Sequence, residues 1–280
     1  SIKAMMYNEM WRQLTPLYDN NEAKAIVRML LEMQFGLSWA DVICGKVTQL
    51  GAENALLLQQ MIGRLVKGEP VQYVMGRAEF ANRIFSVTQG VLIPRPETAE
   101  LCAWITHETP EDATVLDVGC GSGCIAVTLA LNTHGAHVVA WDISDEALHI
   151  AESNARALHA RVDIVRQDAL MPPADVEKWD VVVSNPPYIC ERERGAMARN
   201  VLDYEPDTAL FVPDNDPLLF YRAIAEYAAK ALKRGGTLYF ELNPLHADEV
   251  KRMLYEQHFA AIESRNDMFG KERFIKAVRY

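Results

Sequence analysis

From Glu97 onward the chain alternates short β-branched runs with helical patterns, and that alternation leaves little choice of fold. Residues 114–118, 137–141, 162–166, 180–184 and 236–241 read as strands, and two more follow at 260–263 and 273–278. Helical patterns occupy 97–106, 124–131, 145–158 and 218–232. Strand–helix–strand repeats join parallel strands, so an α/β sheet covered by helices on both faces is expected. The run at 180–184 is nearly all valine, as a strand buried on both faces should be. In such sheets ligands sit beyond the carboxyl ends of the strands.

Those carboxyl ends carry the chemistry. Asp117-Val-Gly-Cys-Gly-Ser-Gly123 joins the first of these strands to the next helix. Gly119, Gly121 and Gly123 permit a tight turn and close approach of a ligand to the backbone. The G-x-G-x-G spacing departs from the dinucleotide fingerprint G-x-G-x-x-G. Asp142 closes the following strand, where an acid can accept hydrogen bonds from ribose hydroxyls. Gln167-Asp168 closes the third, where a carboxylate can meet an adenine amino group. Each aspartate has an alternative reading as a helix cap or a solvated loop charge, and Asp145 is assigned as a cap.

After the valine run comes Asn185-Pro-Pro-Tyr188. The Asn side chain offers one carbonyl and its backbone another, held still by the prolines that follow. Two fixed acceptors suit a planar, poorly nucleophilic NH2 group, and Tyr188 adds a flat face.

Residues 115–142, Gln167-Asp168 and Asn185-Pro-Pro-Tyr188 together resemble the class I S-adenosylmethionine-dependent methyltransferases. Leu92-Ile-Pro-Arg-Pro-Glu-Thr98 closely resembles a stretch of the release factor glutamine methyltransferase (PrmC/HemK) family. Gly68-Glu-Pro-Val-Gln-Tyr-Val-Met-Gly76, Glu79-Phe80, Tyr204-Glu205-Pro206 and Ala209-Leu210 are similar to further segments of it. The resemblance implies a seven-stranded, mostly parallel sheet whose last hairpin is antiparallel. It implies an N-terminal helical bundle that docks substrate (1–75), a β-hairpin linker (76–95) and a cofactor-binding methyltransferase domain (96–280). The implied cofactor is S-adenosylmethionine, leaving as S-adenosylhomocysteine. Its implied contacts are Asp117, Gly119, Cys120, Gly121, Ser122, Gly123, Asp142, Ile143, Asp168, Ala169 and Asn185. Asn185, Pro186, Pro187 and Tyr188 would bind the substrate amide, with Asn185, Pro186 and Tyr188 catalytic. The implied substrate is the Gly-Gly-Gln glutamine of peptide chain release factors 1 and 2, methylated on its side-chain nitrogen by a cytoplasmic monomer. Arg95 and Glu97 read either as a helix start or as pocket residues, and Glu241 as a strand end. The chain departs from the family pattern at Cys120, Ser122, Ala169 and Asn243.

Two relatives of this chemistry are alternatives: glutamine methylation of a ribosomal protein, and amino methylation of DNA. A binding module without chemistry is a third. A formal net charge of −10 argues against a broad nucleic-acid footprint, which needs Lys and Arg. No apolar run is long enough to span a bilayer, and the N-terminus lacks a signal-peptide pattern. Ser1 to Ala4 read as an expression remnant. Five cysteines, an odd number, read as reduced thiols, with Cys120 and Cys124 as small packing residues and no metal-ligand spacing. Residues 5–67 read as helices, with apolar stripes at Ile26, Met29, Leu30 and Met33 and at Leu57, Met61 and Leu65. The stretch 189–216 reads as a long loop, a lid or docking surface.

Overall fold

The structure, a computed structural model, describes residues 5–280, so Ser1 to Ala4 lie outside it. Two compact units emerge: one ends at Arg77 and takes in Ala198–Tyr204, and the other comprises Ala78–Met197 and Glu205–Tyr280.

The first unit contains α1 (Tyr7–Gln13), α2 (Asn20–Phe35), α3 (Trp39–Ile43), α4 (Ala52–Val66) and α5 (Val71–Met75). Asp19 starts α2 by accepting from the Asn21 and Glu22 N–H groups at 2.8 and 2.9 Å. Gly36 ends it in the left-handed region, φ 66°. The buried stripe is Ala23, Val27, Leu30 and Leu31, rotated from the one expected, and Met29 faces out. In α4 the buried residues are Leu58, Met61, Ile62 and Leu65, with Leu57 only partly covered. Both helices carry apolar residues around more than one face, so neighbouring helices decide which face turns inward. From the last turn of α4, Arg64 forms a two-pronged ion pair with Glu69, at 2.6 and 2.8 Å.

A hairpin, β1 (Arg77–Phe80) and β2 (Arg83–Ser86), carries the chain from Arg77, the last residue of the first unit's main segment, into the second. Its two-residue turn puts Ala81 and Asn82 at φ 48° and 61°, the geometry that matches strand twist. The main elements then run α6 (Pro96–Glu108), β3 (Thr114–Val118), α7 (Cys124–Asn132), β4 (His137–Asp142), α8 (Asp145–Ala157), β5 (Val162–Arg166) and β6 (Trp179–Ser184). The stretch expected as a loop is largely structured. It holds β7 (Ile189–Cys190), a 3-10 turn, α9 (Arg199–Tyr204), α10 (Asp207–Leu210) and β8 (Phe211–Val212), of which α9 belongs to the first unit. After it come α11 (Leu219–Ala231), β9 (Leu232–Glu241), α12 (Ala247–Glu256), β10 (Ala260–Asn266) and β11 (Glu272–Val278).

Seven strands form one sheet in the order β10-β11-β9-β6-β3-β4-β5. The run β9-β6-β3-β4-β5 is parallel, and β11 is antiparallel to both β9 and β10. The family's expected topology is therefore present. Alternate residues of each strand feed opposite cores. Val182, Leu116, Leu238 and Phe240 pack with Tyr221, Ile224 and Val250 from α11 and α12. Val181, Val183 and Val115 pack with Leu101, Ile105, Ile125 and Ala151 from α6, α7 and α8.

A buried asparagine ties these layers to the hairpin. Asn154 of α8 is 1% exposed. Its Oδ1 accepts from the Ser86 N–H at 2.7 Å. Its Nδ2 donates to the Ser86 and Ser122 carbonyls at 3.0 and 2.8 Å. Asn154→Ala strips partners from three backbone groups and should destabilise the protein by roughly 3 kcal/mol. A lower urea midpoint with an unchanged slope is the expected result, and an unchanged midpoint would remove this role.

Candidate functional site

Strand register sets the site. Val118 lies level with Trp141 on one side and Ser184 on the other, and Ser184 is level with Phe240. One residue further, Gly119, Asp142, Asn185 and Glu241 follow that row at one edge of the sheet. Gln167 and Asp168 follow the end of β5, and the Gln167 N–H donates to the Asp142 carbonyl at 3.0 Å.

The glycine loop turns back immediately. The Gly119 and Cys120 N–H groups both donate to the Trp141 carbonyl at 2.8 Å. Gly123 begins α7 at φ 81°, and a Cβ there would come within 3.1 Å of Ala151 Cβ. Backbone angle and close packing both require glycine at that position. The Ser122 carbonyl is the one held by Asn154. Asp117 is completely buried behind the loop. Its Oδ2 accepts from the Ala126 N–H at 3.1 Å, serving the first turn of α7 from another element. Its Oδ1 is buried with no partner among the described residues. Burial, more than any neighbour, pushes the Asp117 carboxyl up to about 7.

Asp142 braces the same loop. Its Oδ2 accepts from the Gly121 N–H at 2.9 Å and its Oδ1 from the Ser144 N–H at 3.0 Å. Asp168 Oδ1 accepts from the Leu170 N–H at 2.8 Å. Ile143, beside Asp142, is exposed, and Ala169, beside Asp168, is half-buried. The cap of α8 is Ser144, whose Oγ accepts from the Ala147 N–H, rather than Asp145. Asp145 is the first helical residue and pairs with Arg166 at 2.8 Å. Neighbouring Ser and Asp are both good caps, and the chain's entry direction selects the serine. Cys120 is buried, and burial raises its thiol well above the usual range. The Cys124 thiol is likewise pushed up to about 12, so both behave as small apolar groups.

Asn185 and Pro187 are half-buried and Pro186 is buried, at the end of a strand pinned by Ser184 Oγ donating to the Val118 carbonyl at 2.6 Å. Tyr188 makes a contact that sequence reasoning missed. Its hydroxyl donates to Glu241 Oε1 at 3.3 Å, and Thr98 Oγ1 donates to Glu241 Oε2 at 2.6 Å. Glu241 is 3% exposed, and burial lifts its carboxyl above the usual range. Burial raises the Tyr188 phenol as well. A second missed contact joins Arg95 to the buried Glu205 in a short ion pair, with Glu205 Oε2 also accepting from the Ile93 N–H at 3.1 Å. The segments that carry Arg95, Thr98 and Glu205 stood out in the sequence, but nothing local paired them. Glu97 Oε2 is a further buried oxygen without a partner among the described residues.

Acceptors predominate around this edge: the Asp117, Asp142, Asp168 and Glu97 carboxylates and the Asn185 amide. Such a set suits a ligand that carries positive charge, hydroxyls and an amino group. The unpartnered Asp117 Oδ1 belongs to a buried carboxyl that holds its proton up to about pH 7, and once ionised it would answer a cationic ligand, which fits S-adenosylmethionine.

Residues 98–204 match the family model described as "Methyltransferase small domain", and residues 10–76 match "PrmC N-terminal domain". A protein of Bacteroides thetaiotaomicron named release factor glutamine methyltransferase is 45% identical, over 96% of this chain and 97% of its own. One of the same name from Flavobacterium psychrophilum is 36% identical, over 94% of each chain. In fold, a methyltransferase from Pyrococcus furiosus superposes with a TM-score of 0.53 at 15% identity, covering 80% of this chain and 95% of that one. Among the described residues no helix is long and apolar enough to cross a membrane.

The raised carboxyl of Asp117 gives a pH signature. Folding lifts its proton affinity from the ordinary 3.8 to about 7, so folding takes up a proton between those values. Its contribution to stability is complete below the unfolded value and is lost as pH rises through the folded one. Asp117→Asn cannot ionise and escapes that loss. Urea titrations of the ligand-free protein should show the variant gaining on wild type from about pH 4 to about pH 8, by up to a few kcal/mol. A difference that does not change with pH would contradict a buried, protonated Asp117.

Proposed function

The chain belongs to the family of release factor glutamine methyltransferases, and from that membership we propose that it methylates the side-chain amide nitrogen of the Gly-Gly-Gln glutamine in peptide chain release factors 1 and 2. The observation that carries this reading is Asn185-Pro-Pro-Tyr188 standing at the end of β6, on the strand next to the one that leads into the glycine loop. S-adenosylmethionine would supply a sulfonium methyl that is already strongly electrophilic.

A glutamine amide nitrogen delocalises its lone pair into the carbonyl and attacks poorly. The residues of the chain therefore act by orientation and electrostatics rather than as a strong base. The Asn185 side-chain oxygen and the Asn185 or Pro186 backbone oxygen each accept one amide N–H. This pair fixes the amide plane, turns the nitrogen toward the donor and stabilises positive charge as conjugation is lost. The amide proton becomes acidic only as the methyl arrives, so it can leave afterwards. Tyr188, tethered to Glu241, packs beside the amide and keeps water out. Asp117, ionising as the cation binds, would answer the positive charge of the donor, Asp142 would take the ribose hydroxyls and Asp168 the adenine amino group. Gly119, Cys120, Gly121, Ser122 and Gly123 would let the donor lie against the backbone, and Ile143 and Ala169 would line the base. The two glycines beside the substrate glutamine supply a loop slim enough to enter. The helical unit is assigned to docking another surface of the factor.

Mass spectrometry of purified release factor after incubation with this protein and S-adenosylmethionine should find one added methyl on the Gly-Gly-Gln glutamine. Asn185→Ala should lower turnover by about 100-fold or more while cofactor affinity, measured by calorimetry, changes little. Transfer to a ribosomal protein or to DNA instead would overturn the choice of substrate. Unchanged turnover in Asn185→Ala would overturn its role.

A further inference from the structure

Just past the Asn-Pro-Pro-Tyr turn, a thiol, a carboxylate and an imidazole converge. The ligand atoms of Cys190, Glu193 and His246 all lie within 4.8 Å of one another. Cys190 is completely buried and His246 is 6% exposed. Cys190 Sγ is 3.7 Å from His246 Nε2. For a tetrahedral zinc ion, with Zn–S about 2.3 Å and Zn–N about 2.05 Å, the sulfur and nitrogen would be about 3.6 Å apart.

The surroundings are arranged as a metal site requires. His246 Nδ1 faces Glu249 Oε1 at 3.1 Å. A proton on Nδ1, donated to that carboxylate, leaves the Nε2 lone pair directed at the sulfur. A carboxylate behind a ligating histidine is the usual means of fixing its tautomer and raising its basicity. Glu193 is held too: its Oε2 accepts from the Cys190 N–H at 2.6 Å. Asn243 Nδ2 lies 3.4 and 3.3 Å from the two Glu193 oxygens. A simple thiol–imidazole hydrogen bond would account for the 3.7 Å separation alone. Glu193 also caps the 3-10 turn that follows Cys190, and what singles out the cluster is the convergence of all three ligand atoms together with a carboxylate behind the imidazole.

We propose that Cys190 Sγ, His246 Nε2 and the Glu193 carboxylate form a binding site for one zinc-class divalent cation. One thiolate, one imidazole and one carboxylate suit a borderline-soft ion and disfavour magnesium or calcium. Water completes the fourth position. Coordination replaces the thiol proton, which passes to the solvent. Asn243 Nδ2 also donates to the Tyr188 carbonyl at 3.0 Å, so the ion braces the turn that carries Asn185. Sequence spacing did not show this site, because 56 residues separate Cys190 from His246.

Cobalt(II) titration of the full-length, reduced and chelator-stripped protein tests the site without reference to methyl transfer. One equivalent should produce a thiolate-to-cobalt charge-transfer band with tetrahedral d–d intensity, and zinc should displace it. Cys190→Ser should abolish the band, whereas Cys44→Ser, at an exposed thiol, should leave it. His246→Gln should weaken zinc binding at least tenfold. Glu249 is half-exposed, so Glu249→Gln should fold normally and still weaken zinc binding by about tenfold or more. The proposal is overturned by wild-type protein that shows no such band, by a band that survives Cys190→Ser, or by zinc affinity unchanged in Glu249→Gln.

Discussion

Parallel, in-register pairing of β4, β3, β6 and β9 is the constraint on which everything else in the second unit depends. It brings Trp141, Val118, Ser184 and Phe240 level, so that four chain reversals begin in one row. A shift of one residue in any pair would send its turn to another height and exchange the strand's two faces. Hydrogen bonds beyond the ladder resist such a shift. Ser184 Oγ holds the Val118 carbonyl, and two loop N–H groups share the Trp141 carbonyl. The site is thus an extension of the sheet rather than an ornament on a loop.

Buried polar groups then hold the turns at fixed angles. Asp117, Asn154 and Glu241 each sit in the core or at its rim and each bonds to a different segment. Desolvating a carboxylate is costly, and Asp117 and Glu241 respond with raised proton affinities. A core built only of hydrocarbon would be simpler to stabilise. It could not present an acceptor behind the glycine loop or anchor the Tyr188 hydroxyl. The glycine loop is consequently held by α8 and by β4, while the aspartate that precedes it holds the first turn of the helix that follows.

What the sequence made legible follows from where each constraint resides. Glycines at forced angles and consecutive prolines leave local marks, so the turn at Gly119–Gly123 and the one at Asn185 could be read directly. The valine run of β6 and the helix–strand alternation announced the sheet. Partnerships between distant residues leave no such mark. Asn154 with Ser86 and Ser122, Arg95 with Glu205, and Cys190 with His246 are each separated by tens of residues. The stretch after β6 looked like a loop for the same reason. Its short elements are held by contacts such as the Arg192 N–H to Asp214 Oδ1 at 2.9 Å, which no local pattern encodes. The stripes of α2 and α4 were misplaced because several of their faces are apolar enough to be buried, and packing chooses among them.

The position of β11 has a consequence for how the chain is made. It is the last strand of the sheet to be synthesised, yet it lies inside the sheet, between β9 and β10. Phe274, Ile275 and Ala277 belong to the two cores. Until residues 272–278 emerge, the nascent chain exposes the edge of β9 and two unfilled hydrophobic layers. An open edge of that kind invites pairing with other chains. Translation must pass the final hairpin before the row of turns at the end of the parallel strands can set, so a polypeptide stalled or cut short before β11 would be a sticky intermediate rather than a weakened enzyme.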